Sequence, residues 1–237
     1  MDVEELLRRY SAGERDFPCI DLRDQDLLQR SLSEVNFSGS DFRQARLGKS
    51  HLVRANLQKT NFSEALLWGT DLEGADLTDA ILRDVDLSGA NLMGANLTNA
   101  YLYKASLSGA NLSHATLRNA ILLDADFRPT AEQRTNLEQA DLQGADLSYA
   151  NLSAANLHQA NFDHAKLCRA SFHVSLQTAS LLSDLTGASF RGADLSYADL
   201  TGAILQNVDF TGADLTGTIF TQADLTGAIL PAGFPAQ

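Results

Sequence analysis

A five-residue period runs through almost the whole chain, and no other feature restricts the fold as tightly. Between Ala90 and Asp126, leucine recurs at 92, 97, 102, 107, 112, 117 and 122, and an alanine stands two residues before each. With each leucine called position i, the alanines occupy i−2. Five residues turn an α-helix by about 500°, so successive leucines would land roughly 140° apart and spiral round it. In a long strand the odd spacing would send alternate leucines to opposite faces, half of them into water. A corner in every pentapeptide resolves both conflicts: i and i−2 point inward, while i−1, i+1 and i+2 face out. The chain is therefore expected to be a solenoid, with alanine small enough to let each corner close around Leu or Phe.

The largest inward residues set the number of sides. Phe17 and Phe37, Phe42 and Phe62, and Phe190 and Phe210 are each twenty residues apart, which four five-residue sides per coil would stack. The A(D/N)LXX pattern, as in Ala75-Asp76-Leu77-Thr78-Asp79, resembles the pentapeptide repeat proteins from about Phe17 to Leu230. That resemblance implies an all-β, right-handed quadrilateral β-helix. A repeat array grows by stacking, so one elongated domain is expected, a rod on the order of 50 Å long at about 4.8 Å per coil. Each buried Leu or Phe contributes about 1.5–3 kcal/mol, so stability accrues coil by coil.

Several segments depart from the repeat: AGERDF, Ala45 to Ser50, Ala65 to Gly69, RPTAEQRT, AKLCRA and the twin GADLSYA motifs. They are similar to those of cyanobacterial members of the family that regulate heterocyst differentiation. The likeness implies a regulatory binding protein whose partner is the differentiation regulator HetR.

Thirty acids against eighteen Lys and Arg give a formal net charge of −12. One reading is an acidic mimic of nucleic acid that inhibits a topoisomerase. The other is repeat filler, because nearly half of the acids, Asp76 and Asp141 among them, occupy i−1. Charge speaks to partners and solubility rather than to one function. No apolar run reaches membrane-spanning length, and MDVEELLRRY lacks a signal-peptide core. A cytoplasmic monomer without membrane contact or direct nucleic-acid binding is expected. Cys19 and Cys168 are too few for a zinc site and are expected outward as free thiols.

Along the chain, residues 1–16 read as a capping helix, with Val3, Leu6, Leu7 and Tyr10 at helical spacing and Gly13 as the stop. Residues 17–230 form the repeat, opening with Ile20, Gln25, Arg30 and Val35 where alanine is expected. Arg43, Arg46, Lys49, Arg54 and Lys59 fall in an acid-free window and predict a basic belt around one coil. Ile81, Tyr101 and Ile121 at i−1, with Tyr103 and Leu123 at i+1, predict an exposed apolar stripe; Leu66 and Trp68 form an apolar pair on another side. Exposed aromatics mark interaction surfaces, although strand propensity alone also favours Ile and Tyr. Two loops interrupt the array, at 128–136 and 173–189. The first, with Arg128 and Arg134, is expected to extend the stripe into one platform. The tail 231–237 is expected to fold over the last coil, Phe234 covering its core and Pro231 and Pro235 discouraging strand addition.

A catalytic site needs convergent groups in a concave pocket. His51, His114, His158, His164 and His173 fall on outward positions of different coils without metal-ligand spacing. A non-enzymatic scaffold with no cofactor or metal is expected, binding its partner through the stripe.

Overall fold

One repeat accounts for the whole architecture. In the computed structural model, which describes residues 1–173 and 182–234, the five N–H groups from Asn96 to Ala100 each find an acceptor. Asn96 donates to Ala75 O in the preceding coil (2.9 Å), while Leu97 and Asn99 donate to Thr116 O and Arg118 O in the next (2.6 and 2.9 Å). Ala100 closes the corner onto Leu97 O at 3.0 Å. The fifth donor, Thr98 N–H, has no backbone partner and binds the Asn96 side-chain oxygen at 3.1 Å. Buried backbone donors must be paired, so the repeat selects Asn or Asp at i−1 to cap its own turn. Much of the acidity is thus a requirement of the corner.

Repetition of these bonds builds a right-handed quadrilateral β-helix. The i−1 residues form parallel bridges in four columns, each the spine of one wall. Wall 1 starts Asp16, Asn36, Asn56; wall 2 runs Asp21, Asp41, Asn61, Ile81, Tyr101, Ile121, Asp146, Lys166, Asp194, Asp214; wall 3 starts Asp26, Arg46, Leu66; wall 4 starts Ser31, His51, Asp71. The Leu and Phe columns and the alanines between them are almost wholly buried. Phenylalanines stack as their spacing predicts, with ring centroids 5.1 Å apart for Phe42 and Phe62 and 5.4 Å for Phe190 and Phe210.

Helix α1 (Val3–Ser11) begins at Asp2, whose carboxylate caps Glu5 N–H at 2.8 Å. It buries Leu6 in the core, with Val3, Leu7 and Tyr10 packed alongside. Arg30 is exposed and Gln25 only half-buried at alanine positions of the first coil, beside this helix, whereas Val35 is buried. At the other end Phe234 packs on Phe220 with centroids 5.9 Å apart. Pro235 and the rest of the tail lie outside the described residues.

Both interruptions leave the same corner, between walls 3 and 4. Asn111 bridges Asn136, twenty-five residues on, and Asn156 bridges Asp184, twenty-eight on. The insertions therefore contain five and eight extra residues. The second ends sooner than the expected 189: Asp184 to Ala188 form a regular repeat, hidden because Ser183 replaces the alanine. Residues 174–181 lie outside the described residues.

The two insertions close alike. Thr135 and Ser183 are fully buried at i−2. Thr135 Oγ1 accepts from Gly109 N–H at 2.8 Å and lies 3.1 Å from Arg128 O. Ser183 Oγ accepts from Ala154 N–H at 2.9 Å and donates to Phe172 O at 2.7 Å. At each seam one hydroxyl reconnects the backbone of the corner.

Candidate interaction surfaces

The apolar stripe is assembled as its spacing requires. Ile81, Tyr101 and Ile121 are consecutive bridge partners on wall 2 and are 40%, 36% and 37% exposed. Tyr103 and Leu123 are half-buried where wall 2 turns towards wall 3. The Tyr101 and Tyr103 rings lie 6.3 Å apart, and Lys104 Nζ sits 5.2 Å from the Tyr103 ring centroid. Ile81 and Ile121 have no acceptor to offer the i+1 N–H groups of Arg83 and Leu123, so the stripe forgoes capping bonds that Asn or Asp would make, each worth about 1 kcal/mol.

N-terminal to the stripe, the same wall holds a polar cleft of about 410 Å³ lined by Arg23, Arg43, Ser63, Glu64 and Arg83 among others. Arg23 pairs with Asp21 and Arg43 with Asp41, both at 2.6 Å, and Arg83 with Glu64 at 2.9 Å. Hydrogen bonds from the Arg23 side chain and backbone hold the Asp21 carboxyl down at about 2. These arginines are already matched by carboxylates.

The remaining expected site residues do not join the stripe. The basic belt encircles its coil, so its members face different directions. Arg46 pairs with Asp26 and Arg54 with Glu34, from the coil before, while Lys49 Nζ lies 5.3 Å from the Trp68 ring centroid. Trp68 rests over Gly48 at the corner between walls 3 and 4, next to the wall 3 residue Leu66.

The first insertion occupies that same corner, with wall 3 between it and the stripe, so the expected platform does not form. Thr130 packs where a Cβ on Gly109 would come within 2.7 Å of it; with φ +66 at that residue, only glycine leaves the loop room without strain. Arg128 grips Asp126 (2.7 Å). Burial opposes ionisation of Asp126, but its bonds from Arg128 outweigh this and leave the carboxyl below its ordinary value. Arg134 is spent internally: its Nε donates to Ala154 O at 2.7 Å, and its Nη2 to Ala155 O (3.1 Å) and Leu182 O (2.6 Å). Burial pushes its pKa down, against the pull of Asp184. It is a staple between the two insertions.

A third feature escaped the reading of the sequence. Tyr149, Arg169 and Tyr197 occupy i+2 in one column, at the corner between walls 2 and 3. The Arg169 guanidinium carbon lies 5.9 Å from the Tyr149 ring centroid and 5.8 Å from that of Tyr197. Tyr149 and Arg169 keep the twenty-residue spacing and the second insertion puts Tyr197 twenty-eight after Arg169, but GADLSYA carries both tyrosines at a turn position otherwise held mostly by glycine and polar residues. That was the available signal. Among the described residues no group of three or more His, Cys, Asp or Glu is placed to hold a metal, and no helix is long and apolar enough to cross a membrane. Cys19 is exposed and Cys168 half-buried, both free.

Comparison with known proteins agrees with this architecture. HetL, a pentapeptide repeat protein involved in heterocyst differentiation regulation from the cyanobacterium Nostoc sp. strain PCC 7120, is 52% identical over 100% of both chains with a TM-score of 0.96. QnrB1, a plasmid-mediated fluoroquinolone resistance protein, is 17% identical over 92% of both chains with a TM-score of 0.47, too distant to inform function. A pentapeptide repeat protein of the Arabidopsis thaliana thylakoid lumen is 32% identical over 47% of this chain and 72% of that one, with a TM-score of 0.29. No curated protein sequence matches. The family profile described as pentapeptide repeats matches in eight copies, across residues 31–128, 135–173 and 183–230. The chain belongs to the pentapeptide repeat family.

Proposed function

We propose that this chain is a non-enzymatic, cytoplasmic regulatory scaffold, monomeric on its own, that binds a HetR-like differentiation regulator through wall 2. The observation that carries this reading is the exposed stripe at Ile81, Tyr101 and Ile121, which replaces turn-capping residues with apolar ones on three consecutive coils. Strand propensity accounts for Ile and Tyr at bridge positions but not for three in succession on one wall, with Tyr103 and Leu123 beside them. The full-length likeness to HetL supports a regulatory protein as partner. Tyrosines central to an interface commonly contribute about 2 kcal/mol or more. Replacing Tyr101 and Tyr103 together with Ser is expected to weaken capture of HetR at least about thirtyfold with the β-rich circular dichroism unchanged; undiminished capture would sink the assignment.

The alternative, an acidic inhibitor of a topoisomerase, draws on the five acids and absence of Lys or Arg from Gly192 to Gln237. Each has a structural task. Asp194, Asp199, Asp209, Asp214 and Asp224 accept the turn N–H of Ser196, Thr201, Thr211, Thr216 and Thr226. A supercoiling assay separates the readings, because the scaffold reading expects no inhibition.

A further inference from the structure

Tyr149 and Tyr197 are large side chains for which the fold supplies no reason. Their φ angles are +62° and +60°, the left-handed turn conformation that i+2 residues adopt throughout the rod and that glycine adopts without cost. Strand propensity does not act at a turn, and burial gives little return, since the two are 53% and 58% exposed. Their rings flank Arg169 at the distances given above, and Tyr197 lies against Gly217, where a Cβ would meet the ring at 2.7 Å. Among the described residues Arg169 has no ion-pair partner, unlike Arg23, Arg43 and Arg83 further along the same side. Rings from the coils before and after flank the cation, Arg169 is exposed, and a guanidinium is a fork of N–H donors that matches a carboxylate.

We infer that Tyr149, Arg169 and Tyr197 form a receptor for a single carboxylate on an acidic segment of the partner protein. Charge complementarity selects that occupant. The chain carries a formal net charge of −12, and Asp124, Asp146 and Asp194 belong to the same or adjoining repeats. A polyanion such as nucleic acid would bring further phosphates against these acids, of which Asp146 has a basic neighbour in Lys166 at 3.9 Å, whereas one Asp or Glu places a single charge beside the arginine. Lys104, stacked on Tyr103, stands in the same column three coils away, about 14 Å at 4.8 Å per coil. A short extended segment running along this corner therefore reaches from Arg169 past Leu123 to the stripe. The inference rests on wall 2 being the binding side, and it adds the chemistry of what binds.

The test is selection of displayed random peptides on the full-length protein, followed by titration of synthetic copies of the winners. Expected are sequences enriched in Asp or Glu whose affinity falls about tenfold or more for Arg169→Gln and for the Tyr149→Ser, Tyr197→Ser double variant. A matching loss is expected when the peptide's own acid becomes an amide. Arg169→Lys keeps the charge without the fork and should fall between. Winners with no acidic preference, or acidic winners that bind Arg169→Gln undiminished, would overturn the inference. The Tyr101→Ser, Tyr103→Ser protein provides the separation: retention of the acid requirement there, with HetR capture lost or kept, judges the receptor independently of the stripe.

Discussion

Two corners of the square coil carry the departures from regularity, and they use arginine in opposite ways. At the corner between walls 3 and 4, Arg134 reaches across one intact coil to the carbonyls of Ala154, Ala155 and Leu182. At the corner between walls 2 and 3, Arg169 is held between two exposed rings without an ion-pair partner among the described residues. In sequence both are arginines at breaks in a neutral pattern. In space the first ties the inserted chain to carbonyls of the next two coils, and the second keeps its donors for something outside. Exposed charge near a loop is thus a poor guide to binding until its hydrogen bonds have been followed.

The largest expected effect tests the first half of that contrast. Arg134→Ala leaves Ala154 O and Leu182 O without their donor, Ala155 O keeping Asp184 N–H, and should destabilise the protein by about 2 kcal/mol in urea unfolding, whereas Arg169→Ala should stay within about 0.5 kcal/mol. Equal losses would erase the distinction. The next effect concerns backbone rather than charge. Tyr197→Gly relieves a left-handed tyrosine and should stabilise by about 1 kcal/mol; Tyr101→Gly, at a bridge position, should destabilise by a similar amount. Matching signs in the two unfolding curves would show that wall and corner tyrosines are not different in kind.

The smallest effect is a response to acid. Asp126 titrates below its ordinary 3.8 in the folded protein because Arg128 holds its charged form. A depressed carboxyl stabilises the fold above its unfolded pKa, and that contribution disappears as pH falls through the folded value. Between about pH 4 and the folded value, hydrogen exchange should therefore quicken around Gln133 and Gly109, where the first insertion is moored. Among the described residues the other corner makes no hydrogen bond to Asp126, so exchange there should change less.

The inward half of the molecule was legible because it obeys one rule. Position i and position i−2 are decided by burial, so hydropathy alone locates Leu102 or Ala100. The stripe was legible for a related reason: coils before Phe127 contain twenty residues, and Ile81, Tyr101 and Ile121 keep that interval. Beyond Phe127 the interval is broken twice, by twenty-five and by twenty-eight; Tyr149 and Arg169 keep twenty, but the step of twenty-eight to Tyr197 and the change of residue type hid the column. Ser183 concealed the return of the wall because a serine at an alanine site reads as a polar break. The role of Arg134 depends on contacts twenty to forty-eight residues away, beyond any local pattern. The partners of the basic belt were hidden in the same way: Asp26 and Glu34, which pair with Arg46 and Arg54, lie twenty residues back in the preceding coil.

The buried hydroxyls at Thr135 and Ser183 also say how such a rod acquires ornament over time. Uninterrupted coils already contain them: Thr60 donates to Phe37 O and Thr70 to Leu47 O, both at 2.9 Å. A neutral alanine-to-threonine exchange can precede any lengthening, and the added chain then arrives at a splice already sealed. Length can change at one edge while the register of the other three stays aligned, so a lineage, or an engineer, can graft new segments onto this edge without redrafting the scaffold.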